Sequence, residues 1–234
     1  MSGKLSAFVL GATGQTGKAI SKELAKLDTF ESVTLFTRRP IEPSQGDTEN
    51  DYSKFNVKIV DFDNLAEKHA KDFEGYDIGY TAIGLLGTQS NAEKKRVDLD
   101  YLVEAAKLAK AGGCNNLSVV TGNGADINSK FFVFSNKGQI EHDVAALGFE
   151  RVAFYRPGWL LGGQTDNLPL ANRLTQPMVN FLDCSRKISI DIPILAKVMI
   201  HNTLQPVTTP VQIYENKDVH KQGIELTKAT KKTK

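Results

Sequence analysis

Short apolar runs alternate with stretches of helical period along most of the chain. Ala7-Phe8-Val9-Leu10 shows no polar alternation, the pattern of a strand buried on both faces. Ala19, Ile20, Leu24 and Leu27 follow at helical spacing, with Lys22, Glu23 and Lys26 on the opposite side. The same reading predicts strands over residues 32–37, 56–62, 76–84, 117–121 and 151–155. Helices are predicted over residues 65–73, over 99–109 with Gly112-Gly113 as its stop, and over 131–144. Residues 41–54 are rich in turn formers without a period and read as a mobile surface loop. Beyond Gly163 the pattern loosens, with Pro169, Pro177, Pro193, Pro206 and Pro210 between shorter segments. There, residues 198–204 read as a helix and 211–214 as a late strand.

This alternation predicts an α/β fold with a doubly wound, mainly parallel sheet covered on both faces. Residues 1–226 are read as one Rossmann-type domain, in which 157–226 form a small C-terminal lid or substrate region. Residues 227–234, rich in Lys and Thr, are read as a flexible basic tail. The turn after the first strand is Gly11-Ala12-Thr13-Gly14-Gln15-Thr16-Gly17, leading directly into a helix. Gly11 suits a tight turn at positive φ, Gly14 a close approach of backbone to a pyrophosphate, and Gly17 close packing of helix on strand. Thr13, Gln15 and Thr16 complete this turn, whose N–H groups and helix dipole favour phosphate. The pattern predicts a dinucleotide site in its expected strand-to-helix context.

The second strand ends in Arg38-Arg39, where NAD-binding domains usually carry an acid for the ribose 2′-hydroxyl. A guanidinium cannot accept from that hydroxyl, but its donor fork matches a 2′-phosphate, so NADP(H) is the expected cofactor. Asp61 and Phe62, at the end of the third strand, either flank the adenine or cap the helix that follows. Ala82, Ile83 and Gly84 end the fourth strand and should meet the cofactor through backbone.

Composition narrows the function classes. The chain has 234 residues, 41% of them hydrophobic and 24% charged, enough for one sizeable core. A formal net charge of +2 argues against nucleic-acid partners. Cys114 and Cys184 lack a metal-ligand pattern and read as reduced cytosolic thiols, and the four histidines are scattered, so no metal site is expected. No run approaches the roughly 18 apolar residues of a membrane span. The first strand begins too early to leave room for a targeting peptide, so membrane contact is expected to be peripheral at most.

The glycine turn, Arg38-Arg39, the run 109–114, Gly124-Ala125-Asp126, Lys137-Gly138 and Arg156-Pro157-Gly158 together carry a family resemblance. The chain resembles the atypical short-chain dehydrogenase/reductases around the Tat-interacting, tumour-suppressor-type oxidoreductases and their fungal relatives at mitochondrial membranes. The resemblance implies NADP(H) binding, with Arg156 and Pro157 at the cofactor. It also implies a Ser or Thr, a Tyr and a Lys acting on a small carbonyl substrate. Lys137 matches the lysine and Thr121 the serine position. Val133 stands where the tyrosine belongs, four residues before Lys137. Such a site implies weak or absent carbonyl reduction, or a non-catalytic module whose nucleotide occupancy controls a protein partner. Ser135, two residues before Lys137, would point to another helix face, and no spacing requires Tyr155, at the end of the sixth strand, to reach the groove. The expected location is cytoplasmic, or peripheral on the mitochondrial outer membrane.

Overall fold

Seven parallel strands form the central sheet in the order β3-β2-β1-β4-β5-β6-β9. They are β1 (Leu5–Leu10), β2 (Phe30–Thr37), β3 (Phe55–Ile59), β4 (Ile78–Thr81), β5 (Asn116–Val120), β6 (Arg151–Arg156) and β9 (Val211–Glu215). β7 (Trp159–Leu161) and β8 (Ser189–Asp191) pair separately, also in parallel. The computed structural model describes residues 3–85, 89–162, 183 and 188–232. Strand order reverses between β1 and β4, which opens a crevice beyond the carboxyl ends of these two strands.

The two-residue period of β1 explains both covering layers. Ala7 and Val9 face a core with Ile20 and Leu24 of α1 (Gln15–Ala25) and Leu195 and Met199 of α6 (Ile192–Thr203). Phe8 and Leu10 face the opposite core, with Leu102 and Ala106 of α4 (Tyr101–Ala111) and Ile140 and Val144 of α5 (Phe132–Ala145). All four β1 side chains are at most 1% exposed, so full burial explains the absence of alternation in that run. Phe8 meets Phe36, Phe73 and Tyr76 edge-on at 5.8, 5.9 and 5.4 Å between ring centres. Removing an aromatic from such a place costs about 3–5 kcal/mol.

Several elements differ from the sequence reading. The helix expected over 99–109 has three parts: α3 (Asn91–Lys94), a π-helical segment over Lys95–Asp100, and α4. The helix expected over 65–73 splits into α2 (Leu65–His69) and a 3-10 turn. α6 begins at Ile192, six residues earlier than expected, because Pro193 sits in its first turn, where a missing N–H breaks no helical bond. β9 joins the main sheet beside β6, so the C-terminal third supplies sheet and core as well as anything over the crevice. The tail read as flexible from Thr227 is helical as far as Lys232, in α7 (Asn216–Lys232), which Val219 and Leu226 anchor on the core. Pro169, Pro177, Cys184 and most of the span 163–187 lie outside the described residues.

Residues 41–54 contain no helix or strand, but they are tied to α1. Gln45 Nε2 donates to the Ala12 carbonyl at 3.1 Å. Lys22 lies 3.4 Å from Asp47, whose carboxyl is drawn down to about 2, first by the Glu49 N–H and then by Asn50. Among the described residues, no helix is long and apolar enough to cross a membrane.

Candidate cofactor groove

Gly11 adopts φ +81°, and a Cβ there would stand 2.6 Å from the Ala82 carbonyl oxygen. A side chain would therefore be strained and would also push β4 away from β1. At Gly17 a Cβ would lie 2.1 Å from the Gly11 carbonyl oxygen, so the first turn of α1 rests directly on the glycine turn. Gly14 precedes α1 in extended conformation and offers no side-chain cap, and the first turn of α1 holds no acid. The first turn of α1 therefore stands at the crevice with the positive end of the helix dipole and no side-chain cap from Gly14, an arrangement suited to an anion.

One end of the crevice is lined by Gly11, Thr13, Gly14, Arg38, Phe62, Ala82, Ile83 and Gly84, together with Tyr101 from α4. Phe62 and the Tyr101 ring lie 5.4 Å apart. The Tyr101 hydroxyl and the Arg96 guanidinium both donate to Asp63, and these bonds hold the Asp63 carboxyl below its ordinary range. Arg38 and Arg39 are exposed and have no side-chain hydrogen bond or ion pair among the described residues. Arg38 lines the crevice, whereas Arg39 is not among the lining residues; its carbonyl accepts from Thr37 Oγ1 at 2.8 Å. Asp61 caps the turn that follows β3, accepting from the Asp63 N–H at 3.2 Å, Asn64 at 2.8 Å and Lys68 at 2.9 Å. Asn64 and Lys68 hold its carboxyl at about 2. Capping was one of the two readings open for Asp61.

The other end is a cleft of about 370 Å³ that includes Gln15, Thr16, Ala82, Ile83, Gly84, Thr121, Val133 and Lys137. Lys137 Nζ donates to Asp98 Oδ2 at 3.1 Å, and Asp98 Oδ1 accepts from the Leu85 N–H at 2.7 Å. The π-helical segment carries Asp98 to this position, joining the β4 loop to α5. Thr121 Oγ1 donates to Glu141 Oε1 at 2.7 Å. Val133 lies one helical turn before Lys137 on the cleft side and is 55% exposed, so it is not a core residue.

Arg156 lies behind this cleft. Its guanidinium grips both oxygens of Glu141, at 2.9 and 2.5 Å, and Glu215 Oε1 at 2.9 Å. These carboxylates take the donors expected to meet the cofactor, and they hold the group charged, Glu141 most strongly. Pro157 is buried, and its carbonyl accepts from the Asn123 N–H at 2.9 Å. Neither Arg156 nor Pro157 is among the residues lining the cleft. Tyr155, considered as a hydroxyl for the groove, is instead wholly buried on the α6 side, stacked on Tyr214 at 4.9 Å. Burial pushes its phenol far up. Ser135 Oγ donates back to the Phe132 carbonyl at 3.1 Å. The sequence reading did not single out Asp98, Tyr101 or Asn136 as groove residues. Asn136 follows Val133 by three residues, a spacing that shares a helix face.

The uncapped start of α1, the missing acid after β2 and Arg38, without a side-chain partner among the described residues, fit a dinucleotide along the crevice. A family described as NAD(P)H-binding matches residues 11–176. The chain is 34% identical to protein HTATIP2 of Rattus norvegicus over 217 residues, 92% of this chain and 87% of that protein. It is 30% identical to the mitochondrial protein FMP52 of Debaryomyces hansenii over 213 residues, 87% and 90% of the two chains. The fold is similar to MoeE5 in complex with UDP-glucuronic acid and NAD, with a TM-score of 0.69 at 14% identity, covering 95% of this chain and 82% of that one. It is also similar to the NAD complex of UDP-glucuronic acid 4-epimerase from Bacillus cereus, with a TM-score of 0.67 at 13% identity, covering 90% and 77%. A parallel sheet with its glycine turn at the strand-order reversal and relatives matched over most of their length lead to one assignment: the chain belongs to the NAD(P)H-binding family, as an atypical short-chain dehydrogenase/reductase of the HTATIP2 and FMP52 type.

Proposed function

We propose that this chain binds NADP(H) in preference to NAD(H), and that its standard carbonyl reductase activity is weak or absent. The observation that carries the second half is Val133, on the cleft side of α5 one turn before Lys137. A phenol at that place would exchange the proton with a substrate oxygen; a valine has none to exchange. Arg38, at the cofactor end without a partner among the described residues, supports the preference for a 2′-phosphate. Lys137 keeps two ammonium hydrogens beyond the one given to Asp98, enough to hold ribose hydroxyls. Thr121 has its hydrogen on Glu141 and serves as an acceptor toward the cleft.

A non-catalytic module, in which nucleotide occupancy controls a protein partner, is the second reading, and the same valine favours it. Titrating the full chain with NADPH and NADH tests cofactor choice, and a panel of small ketones and aldehydes followed at the NADPH absorbance tests turnover. Tight NADPH binding with turnover near background supports the proposal, and ordinary enzyme rates on the panel overturn it. Soluble and peripheral mitochondrial locations both agree with the mitochondrial naming of FMP52 relatives and with the lack of a membrane-crossing helix among the described residues. We infer a cytoplasmic protein in peripheral contact with the mitochondrial outer membrane; resistance to carbonate extraction would overturn that.

A further inference from the structure

Asn136 is a nearly buried polar side chain at the cleft that the described residues leave unused, as they do Thr16 and Lys94. It is 6% exposed and lines the cleft between Val133 and Lys137. Its carboxamide has no hydrogen-bond partner among the described residues. The neighbouring polar groups are committed: Thr121 to Glu141, Ser135 to its own helix, and Lys137 in part to Asp98. The carboxamide is not among the fully buried unpartnered groups, so it opens on the cleft, where a ligand oxygen can accept from its NH₂ in place of water. The surroundings define the rest of that ligand. Val120, Phe132, Val133, Leu160 and Leu85 make this end of the cleft apolar, and the one carboxylate in it, Asp98, is bonded to Lys137 and the Leu85 N–H. Lys94 and Lys137 also line the cleft and disfavour a cation there, so the ligand is largely hydrocarbon and carries no positive charge, with a carbonyl oxygen for Asn136.

An amide donates a hydrogen bond without giving up its proton, and this restricts the chemistry. Hydride addition to a simple ketone produces an alkoxide, a strong base that needs a proton as it forms. Reduction of a quinone produces a phenolate, the conjugate base of a group with a pKa of about 10, which water can protonate after release. Resting on the NADP(H)-binding reading above, we propose that the Asn136 carboxamide donates to a carbonyl oxygen of an apolar quinone held against Phe132, Val133 and Leu160, and that quinones are the acceptors reduced in this cleft. A dihydronicotinamide C–H bond breaks, and its hydrogen leaves with both electrons to form an O–H bond at one quinone oxygen. The negative charge collects on the other oxygen, at the Asn136 amide, and that oxygen then takes a proton from water. The dihydronicotinamide is oxidised and the quinone reduced by two electrons.

The test compares a ring-dimethylated naphthoquinone, whose blocked ring does not add thiols, with the matching dimethylnaphthalene. Binding of each to the full chain is measured by equilibrium dialysis, with and without NADP⁺. The unmutated protein should bind the quinone about five- to tenfold more tightly than the hydrocarbon, the scale of one hydrogen bond, and Asn136→Leu should abolish the difference. The infrared carbonyl band of the bound quinone should shift to lower frequency in the unmutated protein and move back in Asn136→Leu. NADPH oxidation by the quinone should exceed that by a matched aryl ketone at least about tenfold in the unmutated protein. Equal affinities for quinone and hydrocarbon overturn the proposal without any variant, so a poorly folded Asn136→Leu protein does not shelter it. Quinone preference without turnover overturns the assignment of quinones as acceptors. Failure to bind NADPH, seen in its own titration, sinks the cofactor reading and with it quinone reduction, while the affinity comparison still decides whether Asn136 binds the carbonyl.

Discussion

Lys137 on α5 and Asp98 in the π-helical segment form a mostly buried ion pair at 3.1 Å, with side chains 17% and 8% exposed. They lie 39 residues apart in the chain, yet the pair fixes the position of the one ammonium that family resemblance assigns to the cofactor. The second Asp98 oxygen takes the Leu85 N–H, so one carboxylate aligns both sides of the cleft. π-helical turns are rare and frequent at functional sites, in keeping with this placement.

Breaking this pair should destabilise the fold. Asp98→Ala leaves a partly buried ammonium and a backbone N–H without their acceptor, at a cost of about 3 kcal/mol. Adding Lys137→Met removes the stranded charge, so the double variant should lose clearly less than the sum of the single losses. Urea unfolding of the four proteins measures this. Strict additivity would mean that the two side chains do not interact in solution.

The two arginines after β2 should contribute unequally. Arg38 lines the crevice and Arg39 does not, although the sequence gives no ground for separating them. Arg38→Ser should weaken NADPH binding by about 1.5–3 kcal/mol, the range for a hydrogen bond to a charged group, and leave NADH almost unchanged. Arg39→Ser should have a much smaller effect. Equal NADPH and NADH affinities in the unmutated protein would refute the 2′-phosphate role of both.

Local chemistry made some of the site readable. The positive φ of Gly11 and the close contact of Gly17 with Gly11 arise within one turn, and Val133 and Lys137 share a helix face by simple periodicity. Arg156 shows the limit of such reading. Its motif lies at the right strand end, but the deciding partners, Glu141 and Glu215, come from α5 and β9 and meet it only through the fold. Asp98 was hidden for a related reason: an ordinary α-helical reading gives no cause to choose it, and the π-helical turn brings it to the cleft. The late strand was read correctly as a strand, but its place beside β6 depends on a pairing across more than fifty residues.

Asp61 should give an acid-sensitive contribution to stability. Its carboxyl is held at about 2, against an ordinary value of 3.8, by Asn64 first and then Lys68. A depressed value means that the folded state favours the ionised form. The contribution is therefore complete above about pH 4 and is lost as pH falls toward about 2. Asp61→Asn should be less stable than the unmutated protein near neutrality, and the gap should close across that window. Urea midpoints measured along the acid range check this, and a gap independent of pH would show that the carboxylate charge plays no part.

Val133→Tyr should restore carbonyl reduction. Residue 133 is on the cleft side of α5, one turn before Lys137, so a tyrosine there can direct its hydroxyl into the cleft. Val133 is 55% exposed, so the larger ring enters open space and the stability cost should be small. The Lys137 cation favours the phenolate, and Asp98 beside it moderates that field. Positioned acid–base catalysis is worth about 100- to 10,000-fold, so a gain of at least about tenfold in NADPH turnover with a reactive dicarbonyl is a modest expectation. Lys137→Ala added to Val133→Tyr should remove that gain, because the phenol then loses both its cation and the ribose anchor beside it. A Val133→Tyr protein that folds and binds NADPH, yet turns over no faster, would show that the missing phenol is not what limits the reaction.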